Sequence, residues 1–183
     1  MGACLRRTKE RSCAKRSCAK PWLAACTAFA LVNMTAVKAQ EADQQQAARG
    51  KYLVAVIGCG DCHTAGYFFG RPDTAHALGG SDVGFEIPQL GVFVAPNLTS
   101  DAQTGLGDWT NEQIIAALQT GKRPDGRELA PIMPWRDLAS LSREDAMAIA
   151  VYLKTLPPIK NKVPGPFGAG IRPTVPVMKI VAP

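Results

Sequence analysis

The sequence carries little net charge once its first 39 residues are set aside. Those residues hold eight of the 21 Lys and Arg side chains, but only one of the 15 Asp and Glu side chains. The remaining 13 basic and 14 acidic groups nearly cancel, so the formal charge of +6 belongs to the N-terminal segment. Nucleic-acid-binding proteins concentrate basic side chains on one surface. We therefore expect no nucleic-acid partner.

Long apolar runs are also scarce. The longest, Trp22 to Val37, is shorter than the roughly 20 residues that a membrane-spanning helix needs. A basic segment ending at Lys20 precedes it, and Val37-Lys38-Ala39 follows it as a small-x-small cleavage pattern. We predict that residues 1–39 are a secretory signal peptide. The alternative is an uncleaved anchor, which is the only route to the membrane that the sequence offers.

Cysteine and histidine are few after this leader. Four of the six cysteines fall within residues 1–39, and only Cys59 and Cys62 remain. One of the four, Cys26, lies in a segment that weakly resembles a lipoprotein box. Besides His63 the chain has one further histidine, His76, so a structural zinc site with about four N or S ligands is disfavoured. A thioredoxin-like redox pair would follow a strand in a βαβ pattern, which we do not find. A plain disulfide in an oxidising compartment stays open as an alternative.

The remaining cysteines belong to Cys59-Gly60-Asp61-Cys62-His63, a C-x-x-C-H motif. This is the attachment pattern of c-type haem. Two thiols three positions apart, near a helix end, can reach both vinyl groups on one edge of the porphyrin, and the next residue then lies over the ring. We predict one covalent haem c, bound through Cys59 and Cys62, with His63 as an axial ligand of the iron.

A low-spin haem that carries electrons needs a second axial ligand, usually Met or His. We predict Met133, which lies in the apolar segment 129–135 with a proline stiffening the loop on each side. Met147 falls inside a predicted helix and is expected to fill the core. Met178 lies in a Pro-rich tail and His76 in a Gly-rich loop, and neither setting favours a rigidly held ligand.

Three segments have helical periodicity, at about residues 43–58, 111–120 and 143–156. Thr110 and Gln113 fit a capping box at the start of the second, and Gly121 marks its end. Ser142 is the predicted N-cap of the third, which Pro157-Pro158 ends.

Long loops rich in Gly and Pro separate the three helices, with some β-like pairing around Phe85 to Val94 that the sequence does not place. Loops of this length need a core from elsewhere, and the apolar surface of a haem supplies one. We predict an all-α domain over residues 40–158, with three main helices and long loops wrapped around one covalent haem. Residues 159–183 are predicted to be an extended Pro-rich tail. This tail would pack on the domain surface, stay loose or dock a partner.

From these features the chain resembles the class I cytochromes c across about residues 43–158. Within that family it is similar to the cytochrome c subunits that accompany periplasmic alcohol, aldehyde and sugar-acid dehydrogenases. Besides the C-x-x-C-H motif, the resemblance rests on five segments: Ala95–Thr99, Thr104–Trp109, Arg123–Arg127, Pro131–Trp135 and Ala150–Leu153.

The resemblance implies a cytochrome c fold and roles for further residues. Pro96 would accept, through its carbonyl, a hydrogen bond from the other ring nitrogen of His63 and so orient the imidazole. Trp109 would pack at the haem edge or near a propionate, or serve as a plain core aromatic. Gly50, with Tyr52, would meet the last helix near Tyr152. The chain departs from the family in its long gap between His63 and Pro96, and in having one haem motif where dehydrogenase subunits often have several.

Taken together, these patterns favour an electron-transfer protein in the periplasm, either free or attached to the inner membrane through its leader. It would act as a mobile carrier or as a non-catalytic subunit of a dehydrogenase. Its partners would be redox proteins: a dehydrogenase as donor, and an oxidase or another cytochrome as acceptor. The alternative is a haem enzyme or gas sensor with an open or vacated sixth iron position, which a ligand at Met133 disfavours.

Overall fold

Two successive helices carry the chain into the C-x-x-C-H motif. In the computed structural model, which describes residues 22–181, helix α1 runs over Trp22–Ile57 and the short helix α2 over Cys59–His63. Gly58 between them has a φ of 79°, in the left-handed region that glycine adopts without a steric penalty. This residue allows α2 to leave the axis of α1.

The chain divides into two units, residues 1–39 and residues 40–183. The basic segment of the predicted leader lies outside the described residues, as do the side chains up to residue 39. Among residues 22–181, no helix has both the length and the apolar character needed to cross a bilayer.

Three helices follow in the second half of the chain: α3 over Asn111–Thr120, α4 over Trp135–Leu138 and α5 over Arg143–Thr155. The predicted capping box is confirmed, because the Thr110 hydroxyl accepts from the Gln113 amide and the Gln113 side chain accepts from the Thr110 amide. Ser142 caps α5 by accepting from the amide of Asp145 at 3.1 Å. Local side-chain chemistry thus fixes where α3 and α5 begin.

A four-stranded mixed sheet contradicts the all-α prediction. Strands β1, Gly84–Ile87, and β2, Gly91–Val94, form an antiparallel hairpin in which Phe85 lies opposite Phe93. The tail adds β3, Phe167–Gly168, antiparallel to β2, and β4, Val177–Met178, parallel to β1. The resulting strand order is β3-β2-β1-β4.

The prediction was wrong because strand pairing here is decided over long sequence distances. The hairpin strands are four residues each, too short for alternation to stand out, and the tail strands are two residues each. Gly91 has a φ of 116°, and a Cβ at this position would collide with the backbone of β3. That close approach is visible only once the tail has returned to the hairpin.

The hydrophobic core lies where α1, α3 and α5 meet. Gly50 of α1 makes the closest approach to α5, and a Cβ there would lie 2.7 Å from Cβ of Tyr152. Tyr52, in contrast, is exposed. The buried members of the core come from these helices, from α4 and from the loops beside them: Leu53, Val54, Leu78, Leu106, Ile114, Ile115, Leu118, Leu138, Ala146, Ala148, Ile149, Ala150 and Leu153.

Candidate functional site

Helix α2 presents both motif cysteines as free, half-buried thiols. Burial raises the pKa of the Cys59 thiol to about 11, and burial followed by the charge of Asp61 raises the pKa of Cys62. A dithiol that performs disulfide exchange has the opposite property, a lowered thiol pKa. The environment therefore disfavours the thioredoxin-like alternative.

His63 ends α2 and is 6% exposed. Its Nδ1 lies 2.7 Å from the carbonyl oxygen of Pro96. A carbonyl can only accept, so Nδ1 carries the hydrogen and Nε2 keeps its lone pair for a ligand or metal. Burial lowers the pKa of His63, which keeps the imidazole neutral, while the bond to Pro96 opposes that shift.

The segment that carries Pro96 is hydrogen-bonded on both sides. The amide of Ser81 donates to Ala95 at 3.0 Å, and the amide of Leu98 donates to Leu78 at 2.8 Å. The amide of Gly80 in turn donates to the carbonyl of His63 at 2.9 Å. The backbone around Pro96 is thus joined to the backbone of the motif through residues 78–81.

Aromatic contacts join the sheet to the chain just after the motif. Phe68 meets Phe85 of β1 edge-to-face, with ring centroids 5.4 Å apart, and Tyr67 meets Phe68 in the same way at 5.4 Å. Such edge-to-face pairs are favourable beyond the area they bury. The hairpin, which the sequence analysis expected only as unplaced β-like pairing, therefore supports the segment that follows α2.

Met133 lies in a tight turn immediately before α4. Its amide donates to Ala130 at 2.9 Å and its carbonyl accepts from Trp135 at 2.8 Å. Its half-buried side chain packs against the same hydrophobic core as Cys59 and Trp109. The thioether is therefore held by a constrained backbone beside the elements that carry the motif.

The other candidate ligands have different settings. His76 is exposed and its Nδ1 lies 2.7 Å from a carboxylate oxygen of Asp73. Met178 is exposed in β4, and Met147 is half-buried in α5 against the core. These placements match the reasons for preferring Met133, which stays a prediction.

Trp109 is half-buried against the core, and the guanidinium of Arg123 lies 5.1 Å from its ring centroid. Lys154 of α5 stabilises the loop that ends at Trp109, because its ammonium group donates to the carbonyls of Leu106, Gly107 and Trp109. Sequence reasoning missed Arg123 and Lys154 as individual residues. The sequence marks only their positions, since Arg123 opens one of the family-like segments and Lys154 interrupts the apolar face of α5. Neither signal predicts the contact that the side chain makes.

The described residues fit a haem c in their donor chemistry. Two free thiols and a buried imidazole with an available Nε2 share one short helix, and a half-buried thioether lies in a constrained turn on the same core. Nitrogen and sulfur donors of this kind are the axial ligands of low-spin haem iron.

Known proteins with similar sequences carry haem. The chain is 34% identical over 146 residues to the cytochrome c subunit of the quinone alcohol dehydrogenase of Gluconobacter oxydans (strain 621H), covering 78% of this chain and 28% of that protein. It is 34% identical over 112 residues to the fructose dehydrogenase cytochrome subunit of Gluconobacter japonicus, covering 60% of this chain and 22% of that protein. These relatives confirm the predicted resemblance to dehydrogenase cytochrome c subunits.

A third relative bears on the number of haems. The chain is 30% identical over 113 residues to a diheme cytochrome c-type protein of Cereibacter sphaeroides, covering 62% of this chain and 37% of that protein. The chain spans about a quarter of the length of the two dehydrogenase subunits. No protein-family model matches it.

Proposed function

Because the chain is a relative of the cytochrome c subunits of alcohol and fructose dehydrogenases, we propose that it binds one haem c and transfers single electrons. It would serve as a mobile carrier or as the electron-transfer subunit of a dehydrogenase, with no substrate chemistry of its own. The single haem follows from the single C-x-x-C-H motif in this chain. The observation that carries the proposal is the buried imidazole of His63, turned toward Pro96 at 2.7 Å with Nε2 left available.

Each residue of the site has a distinct part in this proposal. Cys59 and Cys62 would hold the haem covalently, and His63 and Met133 would be the axial ligands. The Pro96 carbonyl fixes the His63 tautomer and raises the basicity of Nε2. Trp109, covered by Arg123, would lie at the haem edge or near a propionate. When bound, haem c supplies a centre that gains and loses one electron.

Burial around these residues suits a carrier better than an enzyme. His63 is 6% exposed, and Leu78 and Leu106 are buried members of the hydrophobic core. A nitrogen and a thioether ligand together leave no iron position for a substrate, and they favour the reduced state. The protein then needs only to bury the haem and leave one edge accessible to its partners.

The predicted leader suggests the compartment in which the electron transfer takes place. We place the chain in the periplasm after removal of residues 1–39, with membrane attachment possible through an uncleaved leader. A dehydrogenase would donate the electron, and an oxidase or another cytochrome would accept it. Redox partners of this kind usually meet through small, weak interfaces.

The visible spectrum of the exported protein tests the iron ligands, with wild type compared with Met133→Ala. We expect the wild type to show a thioether-to-iron charge-transfer band in the red, and little reaction of its ferrous form with carbon monoxide. Met133→Ala should lose the band and bind carbon monoxide readily, because its sixth position is open.

Met147→Ala is the matched control, since it removes a half-buried methionine that packs on the same core. It should keep the charge-transfer band and exclude carbon monoxide. A wild type that lacks the band and binds carbon monoxide at once would contradict the carrier, and would favour the enzyme or sensor with an open iron. A wild type without covalent haem would contradict the whole proposal.

A further inference from the structure

Asn97 follows Pro96 directly and is one of the most deeply buried side chains described, at 2% exposure. Its Nδ2 donates to the carbonyl of Ile159 at 2.6 Å and to the hydroxyl of Thr104 at 3.1 Å. Its Oδ1 accepts from the amide of Thr99 at 2.9 Å and from the hydroxyl of Thr99 at 2.7 Å. All donors and the acceptor of this amide are thus satisfied without water.

These bonds connect the Pro96 segment to the chain just after α5. The Thr99 hydroxyl also accepts from the amide of Ile159 at 3.1 Å, and the Thr104 hydroxyl accepts from the amide of Asn161 at 3.0 Å. Thr99 has no exposed surface. A buried polar network in which every member is satisfied is rigid and specifies one arrangement of its backbone.

The peptide bond between Pro96 and Asn97 transmits this rigidity to His63. The carbonyl of Pro96 and the amide nitrogen of Asn97 belong to one planar group, so the orientation of one sets the orientation of the other. Backbone hydrogen bonds hold Ala95 and Leu98, which flank this peptide, and the side-chain hydrogen bonds of Asn97 hold Asn97 itself. The oxygen that faces Nδ1 of His63 is therefore fixed from its C-terminal side by Asn97.

We propose that Asn97 is a positioning residue: by fixing the Pro96–Asn97 peptide plane it sets the strength of the His63 hydrogen bond, and through it the reduction potential. This inference rests on the proposed function. A strong bond at Nδ1 makes the imidazole more basic and stabilises oxidised iron. Loosening the bond therefore raises the potential and favours the reduced state.

The test compares Asn97→Ala with the wild type in two measurements on the haem-loaded protein. Exchange of the His63 Nδ1 hydrogen with solvent, followed by NMR in the reduced state, should become about tenfold faster because the hydrogen bond opens more often. At a fixed solution potential, the reduced-to-oxidised ratio should rise about threefold, which corresponds to about 28 mV at 59 mV per tenfold change.

Ser100→Ala is the matched control. The Ser100 hydroxyl donates to the carbonyl of Leu156 at 2.6 Å, so it joins the same loop to the same part of the chain without adjoining Pro96. We expect this variant to lose some stability, with the exchange rate and the potential of the wild type. If Asn97→Ala lowers the melting temperature but moves neither the exchange rate nor the potential, or if Ser100→Ala moves both equally, Asn97 is only structural and the proposal is wrong.

A milder variant covers the case in which Asn97→Ala does not mature. Asn97→Ser keeps a hydroxyl that can accept from the Thr99 amide, as Ser does in local turns, but is too short to replace both Nδ2 bonds. It should shift exchange and potential in the same direction by a smaller factor, and unchanged values would overturn the proposal. The wild-type spectrum separates failure of the proposed function from failure of the Asn97 inference. A wild type without covalent haem, or with an open iron position, contradicts the proposed function. If only the Asn97 inference is wrong, the wild-type spectrum stays normal.

Discussion

Lys154 shows how a single charged side chain can organise a loop beside the site. It lies in the last turn of α5 and donates to the carbonyls of Leu106, Gly107 and Trp109, which point inward from one loop. Hydrogen bonds to a charged donor stabilise more than neutral ones. The position of Trp109 therefore depends on a lysine that the apolar pattern of α5 does not predict.

Replacing this lysine should loosen the loop. We expect Lys154→Met to lower the free energy of unfolding by about 2 kcal/mol, because the carbonyls lose a charged donor while the apolar stem is kept. Urea denaturation followed by circular dichroism measures the change. Lys162→Met is the control, since Lys162 is exposed, and its effect should stay within about 0.5 kcal/mol. Equal losses in both variants would rule out a specific role for Lys154.

The motif residues are those that the sequence predicts best. Cys59, Cys62 and His63 are read from a spacing that one short helix imposes, and Met133 from a loop stiffened by prolines. Asn97 and Arg123 could not be assigned in this way, because their roles come from the carbonyl of Ile159 and the ring of Trp109, far along the chain. Local spacing predicts candidate attachment and ligand residues, whereas the surrounding hydrogen bonds require the fold.

The crossing of α1 and α5 combines a close backbone approach with an ion pair. Gly50 supplies the approach, and Arg49 beside it forms two hydrogen bonds with Asp145, at 2.9 and 3.1 Å. The hydrogen bond from Arg49, with its charge, holds the pKa of Asp145 below the ordinary value of 3.8, although burial opposes the shift. The pair therefore links the first and last helices of the domain most strongly when Asp145 is ionised.

This arrangement predicts a pH-dependent contribution to stability. Because the pKa of Asp145 is lowered in the folded state, its contribution is present above the unfolded value near 3.8 and is lost as the pH falls through the folded value. We expect Asp145→Asn to be less stable than wild type at neutral pH, with the difference shrinking as the pH falls below the unfolded value of 3.8 and through the lower folded value. Urea midpoints measured across this range test the prediction.

Glu144→Gln provides the comparison, as it removes a carboxylate from the same helical turn. Its effect should be smaller at neutral pH, since Asp145 rather than Glu144 binds Arg49. A difference for Asp145→Asn that does not change with pH would show that the charge of Asp145 is not responsible. A difference that Glu144→Gln reproduces would point to helix-terminal charge rather than to the ion pair.

Helices and strands differ sharply in how far the sequence predicts them. The sequence predicts α3 and α5 from their N-caps, Thr110 and Ser142, and from an apolar stripe. For each helix these signals lie within one short segment of the chain. The sheet has a local signal only at its hairpin, β1 and β2, whereas β1 also pairs with a strand of two residues at Val177–Met178. Pairing that spans so much of the chain is decided by the assembled core, and no window of the sequence contains it.

For the chain as a whole, the leader prediction leads to a direct measurement. Intact mass spectrometry of the exported protein should give residues 40–183 plus one haem, because cleavage after Ala39 is expected and one attachment motif is present. A variant with both Cys59 and Cys62 changed to Ser should lose the added mass. A mass that still includes residues 1–39 would contradict cleavage, and a wild type without the added mass would contradict attachment.

The strand order β3-β2-β1-β4 also sets an order of events. The attachment motif is complete at residue 63, whereas the two outer strands come from residues 167–178. Chains emerge and fold from the N-terminus, and contacts between distant segments form late. We therefore expect the proposed haem attachment to come before β3 and β4 pair with the two edges of the hairpin, so that maturation and the completion of the sheet are successive steps.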